Sequence, residues 1–217
     1  MQANSECRYF VREYELNDGQ ILKINQNEIG DVGCVVWDAA IVLSKYIESQ
    51  SFKNILTLDG SNILEIGAGT GLCGIVSSCL GAQTTITDLP QFQNLINKNI
   101  NENKHLIKGK AKFQVLEWGK DLELFKKDEF QCILMSDCIY YDESLEPLLT
   151  TLNQLCSRDT KIFCSFERRD TEHKKRLEKE FFKALGKDFK FYTIPISEQD
   201  KVYSCDDIVI LVVEKKQ

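Results

Sequence analysis

The chain has 217 residues, 43% hydrophobic and 28% charged, with twelve glycines and three prolines, which excludes a disordered tract or fibrous repeat and fits one domain that buries a full core. Its 33 acidic residues outnumber 27 lysines and arginines, for a formal net charge of -6. That balance disfavours a partner held chiefly through phosphates, nucleic acid above all.

In chain order, residues 8–16 alternate loosely, meet Asn17-Asp18-Gly19 and continue into residues 20–25, the pattern of a β-hairpin turning on residues that tolerate positive φ. Val36, Ala40, Leu43 and Ile47 then recur at helical intervals, so a helix precedes the main sheet and a loop over 50–61 ends it. Short apolar runs follow at 62–66, 83–87, 112–116, 131–136 and 161–166. Between them, helical spacing appears over 72–80, at Phe92, Leu95, Ile96 and Ile100, and at Leu145, Leu148, Leu149, Leu152 and Leu155. This alternation predicts an α/β fold of βα units stacked into a mostly parallel sheet. After a last helix over 170–185, strands at 189–194 and 207–213 are joined by a polar linker without helical pattern, and so pair as an antiparallel hairpin. The whole reads as a single domain, with a hairpin and helix extension over 1–61 and the core sheet over 62–217.

Nine cysteines, including Cys7, show no C-x-x-C pair and mostly occupy apolar runs such as Gln131-Cys-Ile-Leu-Met135. They read as reduced core residues, with neither bridges nor a metal site expected. Residues 1–10 carry no apolar leader and no run approaches the ~18 apolar residues of a spanning helix. A reducing, cytoplasmic location without membrane contact is expected.

The chemistry concentrates at strand ends. Residues 62–66 run into Gly67-Ala-Gly-Thr-Gly71, where a strand turns sharply into a helix and the missing Cβ atoms leave room for a ligand. Gly69 to Gly74 also satisfies G-x-G-x-x-G, with Asp88 19 residues beyond Gly69, so a nicotinamide dinucleotide site is formally present. Glu65 argues for S-adenosylmethionine instead: at the loop's mouth a carboxylate would receive an α-ammonium and repel a pyrophosphate. Asp88 suits ribose hydroxyls in either reading, or a helix cap before Pro90. Trp37 and Trp118 lie outside the strands and suit the edge of a cofactor pocket. Asp137-Cys-Ile-Tyr140 follows the fourth core strand, at the sheet edge where ligands bind in open α/β folds. There a carboxylate would hold a lysine ammonium, with Tyr140 or Tyr141 lining its channel, or Asp137 would merely cap a turn. Glu167 is a weaker candidate, His105 and His173 read as solvated, and the charged run from Glu167 to Glu180 reads as an exposed helix face.

Taken together, GCVVWDAAIVLSKY from Gly33, ILEIGAGTG from Ile63, TDL from Thr87, NINENKHL from Asn99, EWG from Glu117 and DCIYYDESLEPLL from Asp137 resemble the seven-β-strand, S-adenosylmethionine-dependent protein lysine methyltransferases of the methyltransferase-like 21 group. The resemblance implies a Rossmann-like class I methyltransferase fold and a monomer that modifies a lysine of a protein, the valosin-containing AAA ATPase, through to trimethylation. It implies that Trp37, Glu65, Gly67, Ala68, Gly69, Gly71, Asp88, Leu89, Trp118 and Ser136 surround S-adenosylmethionine, and that Asp137 and Tyr140 form a D-x-x-Y motif at the acceptor. Asp137 is expected to capture and orient the amine rather than act simply as base, because its charge raises the lysine pKa. A methyltransferase for another nucleophile, a nicotinamide-dependent oxidoreductase and a binding module without turnover stand as alternatives.

Overall fold

Within the main sheet, alternate side chains feed two apolar layers. Ile63, Leu134, Phe163 and Ile210 enter one, while Leu64, Ile133, Cys164 and Leu211 enter the other. Because both faces are covered, these strands read in sequence as continuous apolar runs.

The computed structural model describes residues 9–28, 30–126 and 129–216; Cys7 and Arg8 lie outside them. A two-stranded hairpin, β1 (Tyr9–Glu15) and β2 (Ile21–Asn27), is followed by α1 (Asp38–Ile47) and α2 (Gln50–Ile55). Then come β3 (Asn62–Ile66), α3 (Leu72–Cys79), β4 (Gln83–Asp88), α4 (Gln93–Glu102), β5 (Lys110–Val115) and β6 (Cys132–Ser136). The chain finishes with α5 (Leu145–Leu155), β7 (Lys161–Glu167), α6 (Glu172–Asp188), β8 (Phe189–Thr193) and β9 (Ile208–Lys215). Seven strands form one sheet in the order β5-β4-β3-β6-β7-β9-β8. β3 to β7 are parallel, and β9 runs against both β7 and β8. The expected terminal hairpin is present, with the last strand on its inner side. Helices α1 to α4 cover the first face and α5 and α6 the second. Among the described residues no helix is long and apolar enough to cross a membrane, and eight free cysteines are present, all buried except Cys205.

Two local readings need correction. Residues 50–55 are helical rather than loop: Ser49 caps α2 by accepting from Phe52 N at 3.1 Å, and the buried Phe52 ring lies 4.5 Å from that of Phe163. Six residues are too few to display helical periodicity. The last helix starts at Glu172 instead of Asp170, because Thr171 accepts from Lys174 N as its cap. Leu177, Phe181 and Leu185 then form its buried stripe.

The hairpin is not a loose appendage. Asn99 on α4, fully buried, accepts from Asn25 N at 2.7 Å and donates to Asn25 O at 3.0 Å and Thr70 O at 2.9 Å. One amide therefore ties β2 to the helix and to the loop after β3. One turn later, Asn103 accepts from Lys23 N and donates to Lys23 O. Tyr14 donates to Glu48 at the end of α1 at 2.8 Å. That loop has a second anchor behind it. Glu65 is 2% exposed, and its Oε2 accepts from Gly74 N in the first turn of α3 at 2.9 Å. Burial pushes its carboxyl up to about 8 despite the opposing pull of Gly74 N–H, and the nearby Asp88 adds to the rise.

Asn99→Ala strands three buried backbone groups and is expected to lower unfolding free energy by about 2 kcal/mol or more, measured by urea denaturation; parental stability would show that packing alone holds the ribbon. For Glu65 the folded carboxyl keeps a proton that the unfolded one has lost, so its contribution is complete below about pH 4.5 and fades as pH rises toward 8. Melting temperatures measured from pH 5 to 8 are expected to fall more steeply for the parent than for Glu65→Gln, and parallel curves would refute this.

Candidate active site

Chain order reverses between β3 and β6, since β4 and β5 extend the sheet on one side and β7 on the other. At such a switch the loops leaving neighbouring strands diverge and leave a crevice at the strands' carboxyl ends. A cavity of about 400 Å3 opens there, within the size range of small-molecule sites.

One wall is the loop after β3. Gly67 and Gly69 sit at φ of +60° and +56°, in the left-handed region. A Cβ on Gly69 would come within 2.7 Å of the Gly33 carbonyl oxygen, and one on Gly67 within 2.9 Å of both the Trp118 ring and Cys138 Sγ. Glycine is thus needed because the chain's own segments crowd the loop from both sides. Asp88, at the end of β4, fixes the loop in register: its Oδ2 accepts from Gly69 N and its Oδ1 from Leu89 N, both at 2.7 Å. Burial pushes its carboxyl up to about 6, with the two N–H donors pulling the other way.

The opposite wall follows β6. Asp137 takes φ of +53°, a conformation that costs most side chains strain but that Asp tolerates. Its N–H donates to Ser165 O at 2.8 Å, keeping the turn against β7. Burial raises the Asp137 carboxyl, while the Arg169 guanidinium lowers it. Arg169 Nη2 lies 2.6 Å from Asp137 Oδ2. The guanidinium carbon sits 5.0 Å from the Tyr140 ring centroid and 5.5 Å from that of Trp37. From α6, Lys174 Nζ lies 3.6 Å from the Tyr140 centroid and donates to the Tyr140 carbonyl oxygen. Trp37, the residue before α1, donates its indole N–H to Val32 O at 2.9 Å.

Of the residues expected here, Trp37, Gly67, Ala68, Gly69, Asp88, Leu89, Trp118, Ser136, Asp137 and Tyr140 all line this cavity, and Tyr141 joins them. Glu65 and Gly71 do not. Glu65 shares a strand face with Ile63, so its carboxylate reaches α3 behind the loop instead of the loop's mouth. Gly71 faces Ile86 and Ile96. Glu65 therefore gives no argument against a pyrophosphate, and that reason for preferring S-adenosylmethionine falls. The sequence reading missed Arg169, absorbed into a charged run, and Phe92, whose ring would be struck by a Cβ on Gly33 at 2.8 Å. His173, expected to be solvated, pairs with Asp142 while half-exposed.

A family model described as lysine methyltransferase matches residues 16–188. Protein N-lysine methyltransferase METTL21A of Mus musculus is 41% identical over 155 residues, covering 69% of this chain and 69% of the relative. EEF1A lysine methyltransferase 3 of Xenopus tropicalis is 38% identical over 159 residues, covering 71% and 67%. The matched stretches span about two thirds of these relatives' length. Among solved structures, the 16S rRNA methyltransferase RsmC of T. Thermophilus, in complex with AdoMet and guanosine, is similar with a TM-score of 0.63, covering 96% of this chain and 51% of that one at 15% identity. That likeness is one of fold. The match that runs from the hairpin to the end of α6 places the chain in the lysine methyltransferase family, an enzyme family whose cofactor is S-adenosylmethionine.

Proposed function

We propose that this enzyme methylates a lysine of the valosin-containing AAA ATPase, acting as a cytoplasmic monomer. What carries the reading is the convergence of Asp88 and Asp137, the ends of two parallel strands, on one cavity walled by Trp37, Trp118 and Tyr140. The cavity fits the cofactor by its own chemistry. Among the described residues each Asp88 oxygen accepts one N–H donor, which leaves a lone pair for a ribose hydroxyl, and the Trp37 and Trp118 rings line the same cavity, where an indole would stack on adenine or face a sulfonium. Trp37, Gly67, Ala68, Gly69, Asp88, Leu89, Trp118 and Ser136 would hold the cofactor. When bound, S-adenosylmethionine supplies an electrophilic methyl group on a positively charged sulfur.

The chain's task is to deliver a neutral amine. A lysine with pKa near 10.4 costs about 4.6 kcal/mol to deprotonate at pH 7, and only the neutral amine carries the lone pair that an electrophilic methyl group would require. Among the described residues Asp137 Oδ1 accepts a single, long 3.3 Å bond, from Glu167 N, so it is available to an amine N–H and would fix the direction of the lone pair. Tyr140 walls the channel, and the proton shed by the lysine leaves to solvent. The cytoplasmic placement rests on the buried, unpaired thiols among the described residues, and the monomer on the resemblance alone.

The ATPase as substrate rests on the blocks around Trp37 and Asp137. A second reading, elongation factor EEF1A, is favoured by the relative named for it. Labelled methyl transfer to each purified protein, with mass spectrometry of the modified peptide, is expected to mark a lysine of the ATPase; label on EEF1A alone would overturn the assignment. At saturating cofactor, Asp137→Ala is expected to slow transfer about 100-fold, and an unchanged rate would remove Asp137 from the reaction. Calorimetric binding of S-adenosylhomocysteine is expected to weaken at least about tenfold in Asp88→Ala. For the parent, binding should weaken as pH falls through about 6, where Asp88 gains its proton and loses an acceptor; pH-independent binding would exclude Asp88 from the ribose.

A further inference from the structure

Six charged residues line the cavity, and five are acids: Asp31, Asp88, Glu117, Asp137 and Glu143. Arg169 is the sixth and the one cation among the described lining residues. It enters from the segment between β7 and α6, and its side chain is only 21% exposed. Four side chains hold it: Asp137, with Nη2 on Oδ2 at 2.6 Å, Glu167, in a longer 3.3 Å pairing through Oε2, and the rings of Trp37 and Tyr140. A guanidinium so placed occupies the site where a bare carboxylate would otherwise grip the incoming ammonium.

This arrangement resolves a conflict within the proposed reaction. Asp137 alone attracts lysine but favours its protonated, unreactive form. With Arg169 on Oδ2, the charge of this carboxylate is offset, the more distant Glu167 at 3.3 Å sharing the same guanidinium, while Oδ1 can still accept a hydrogen bond. We infer that Arg169 is a positioning residue of the methyl-transfer site, which cancels the charge of Asp137 so that the acceptor lysine is held and reacts as a neutral amine. The inference rests on the reading of Asp137 as the residue that orients the amine. The other groups around that carboxylate are accounted for. Glu167 and the Cys164 thiol come from β7, and Cys138 from the same turn. Lys174 stands on α6 against Tyr140, and Glu143, Asp31 and Asp88 face the same cavity. Of these, Arg169 alone forms an ion pair with Asp137 among the described residues.

Two measurements test it. The first uses the cofactor-free protein and follows the Asp137 carboxyl carbon by NMR titration. Arg169→Gln is expected to raise the Asp137 pKa by about one unit, whereas Arg176→Gln, which breaks the exposed pairing with Asp142, leaves it in place. The second follows methyl transfer to the purified ATPase from pH 6 to 10. In Arg169→Gln the rising limb of kcat is expected to move up by about one pH unit, lowering kcat near neutrality about tenfold without raising KM. Arg169→Lys, keeping the charge, should restore the limb. A merely structural role would lower the melting temperature, or kcat and KM together, with the limb unmoved, and that result overturns the inference. So does an Asp137 titration indifferent to Arg169. Should the ATPase take no label from the unaltered enzyme, the substrate assignment fails by itself, and the carboxyl titration alone decides the case of Arg169.

Discussion

The hydrogen bond from Gly69 N to Asp88 Oδ2 is the constraint on which the site depends. A strand-to-helix turn with successive left-handed glycines has few contacts of its own, because glycine brings no side chain and loses more backbone freedom on folding than other residues. Here the turn is held from outside. Asp88 grips it from the next strand, Glu65 grips the helix start through Gly74 N, and the Gly33 backbone closes over Gly69. Both carboxylates are buried, so their usual preference for the ionised form is weakened by desolvation. Loop shape is thereby coupled to carboxylate protonation at two points, one in the cavity wall and one behind it.

The N-terminal hairpin belongs to the same system. Asn99 joins Asn25 of β2 to the Thr70 carbonyl within the glycine turn, so a ribbon that, among the described residues, shares no strand pairing with the main sheet still braces the site. A buried amide does this better than an apolar residue: it satisfies backbone groups on two elements, and only one register of the hairpin against α4 permits that. Exposed Tyr9, Phe10 and Val11 on the outer strand show how little apolar burial would otherwise fix β1.

Much of this was legible in the sequence. The five parallel strands were readable because both faces of the sheet are covered, and the cavity-lining acids Asp88 and Asp137 because each stands where an apolar run stops. The direction of Glu65 was also encoded: strand alternation sets it on the face of Ile63, toward the helix, but the glycine motif drew attention to the loop's mouth. Two features were unreadable for physical reasons. Helix α2 is shorter than two turns, so no period develops within it. Arg169 lies in a run of charges whose general fate is solvation, and only the three-dimensional return of the chain past β7 sets it against Asp137. A charged residue's destination depends on its partner, and partners separated by 32 positions leave no trace in local pattern.

The composition of the cavity then gives the net charge of the chain a local meaning. An excess of acids within a concave, low-dielectric surface concentrates negative potential, which suits both a sulfonium cofactor and a lysine that arrives as an ammonium. Attraction of that kind brings the substrate in but opposes the chemistry, because every nearby negative charge raises the cost of losing the proton. The two demands are separable in space. Asp31 and Glu143 line the cavity and form no ion pair among the described residues, whereas the carboxylate beside Tyr140 carries its own counter-ion. On the proposed reading, a lysine would pass from a field that favours ammonium to a carboxylate whose charge Arg169 offsets, and would give up its proton near solvent before reaching Asp137. On that reading, acidic attraction and an offset carboxylate at the acceptor are compatible within one pocket because one arginine pairs with Asp137 and lies within 5.5 Å of the Trp37 and Tyr140 ring centroids.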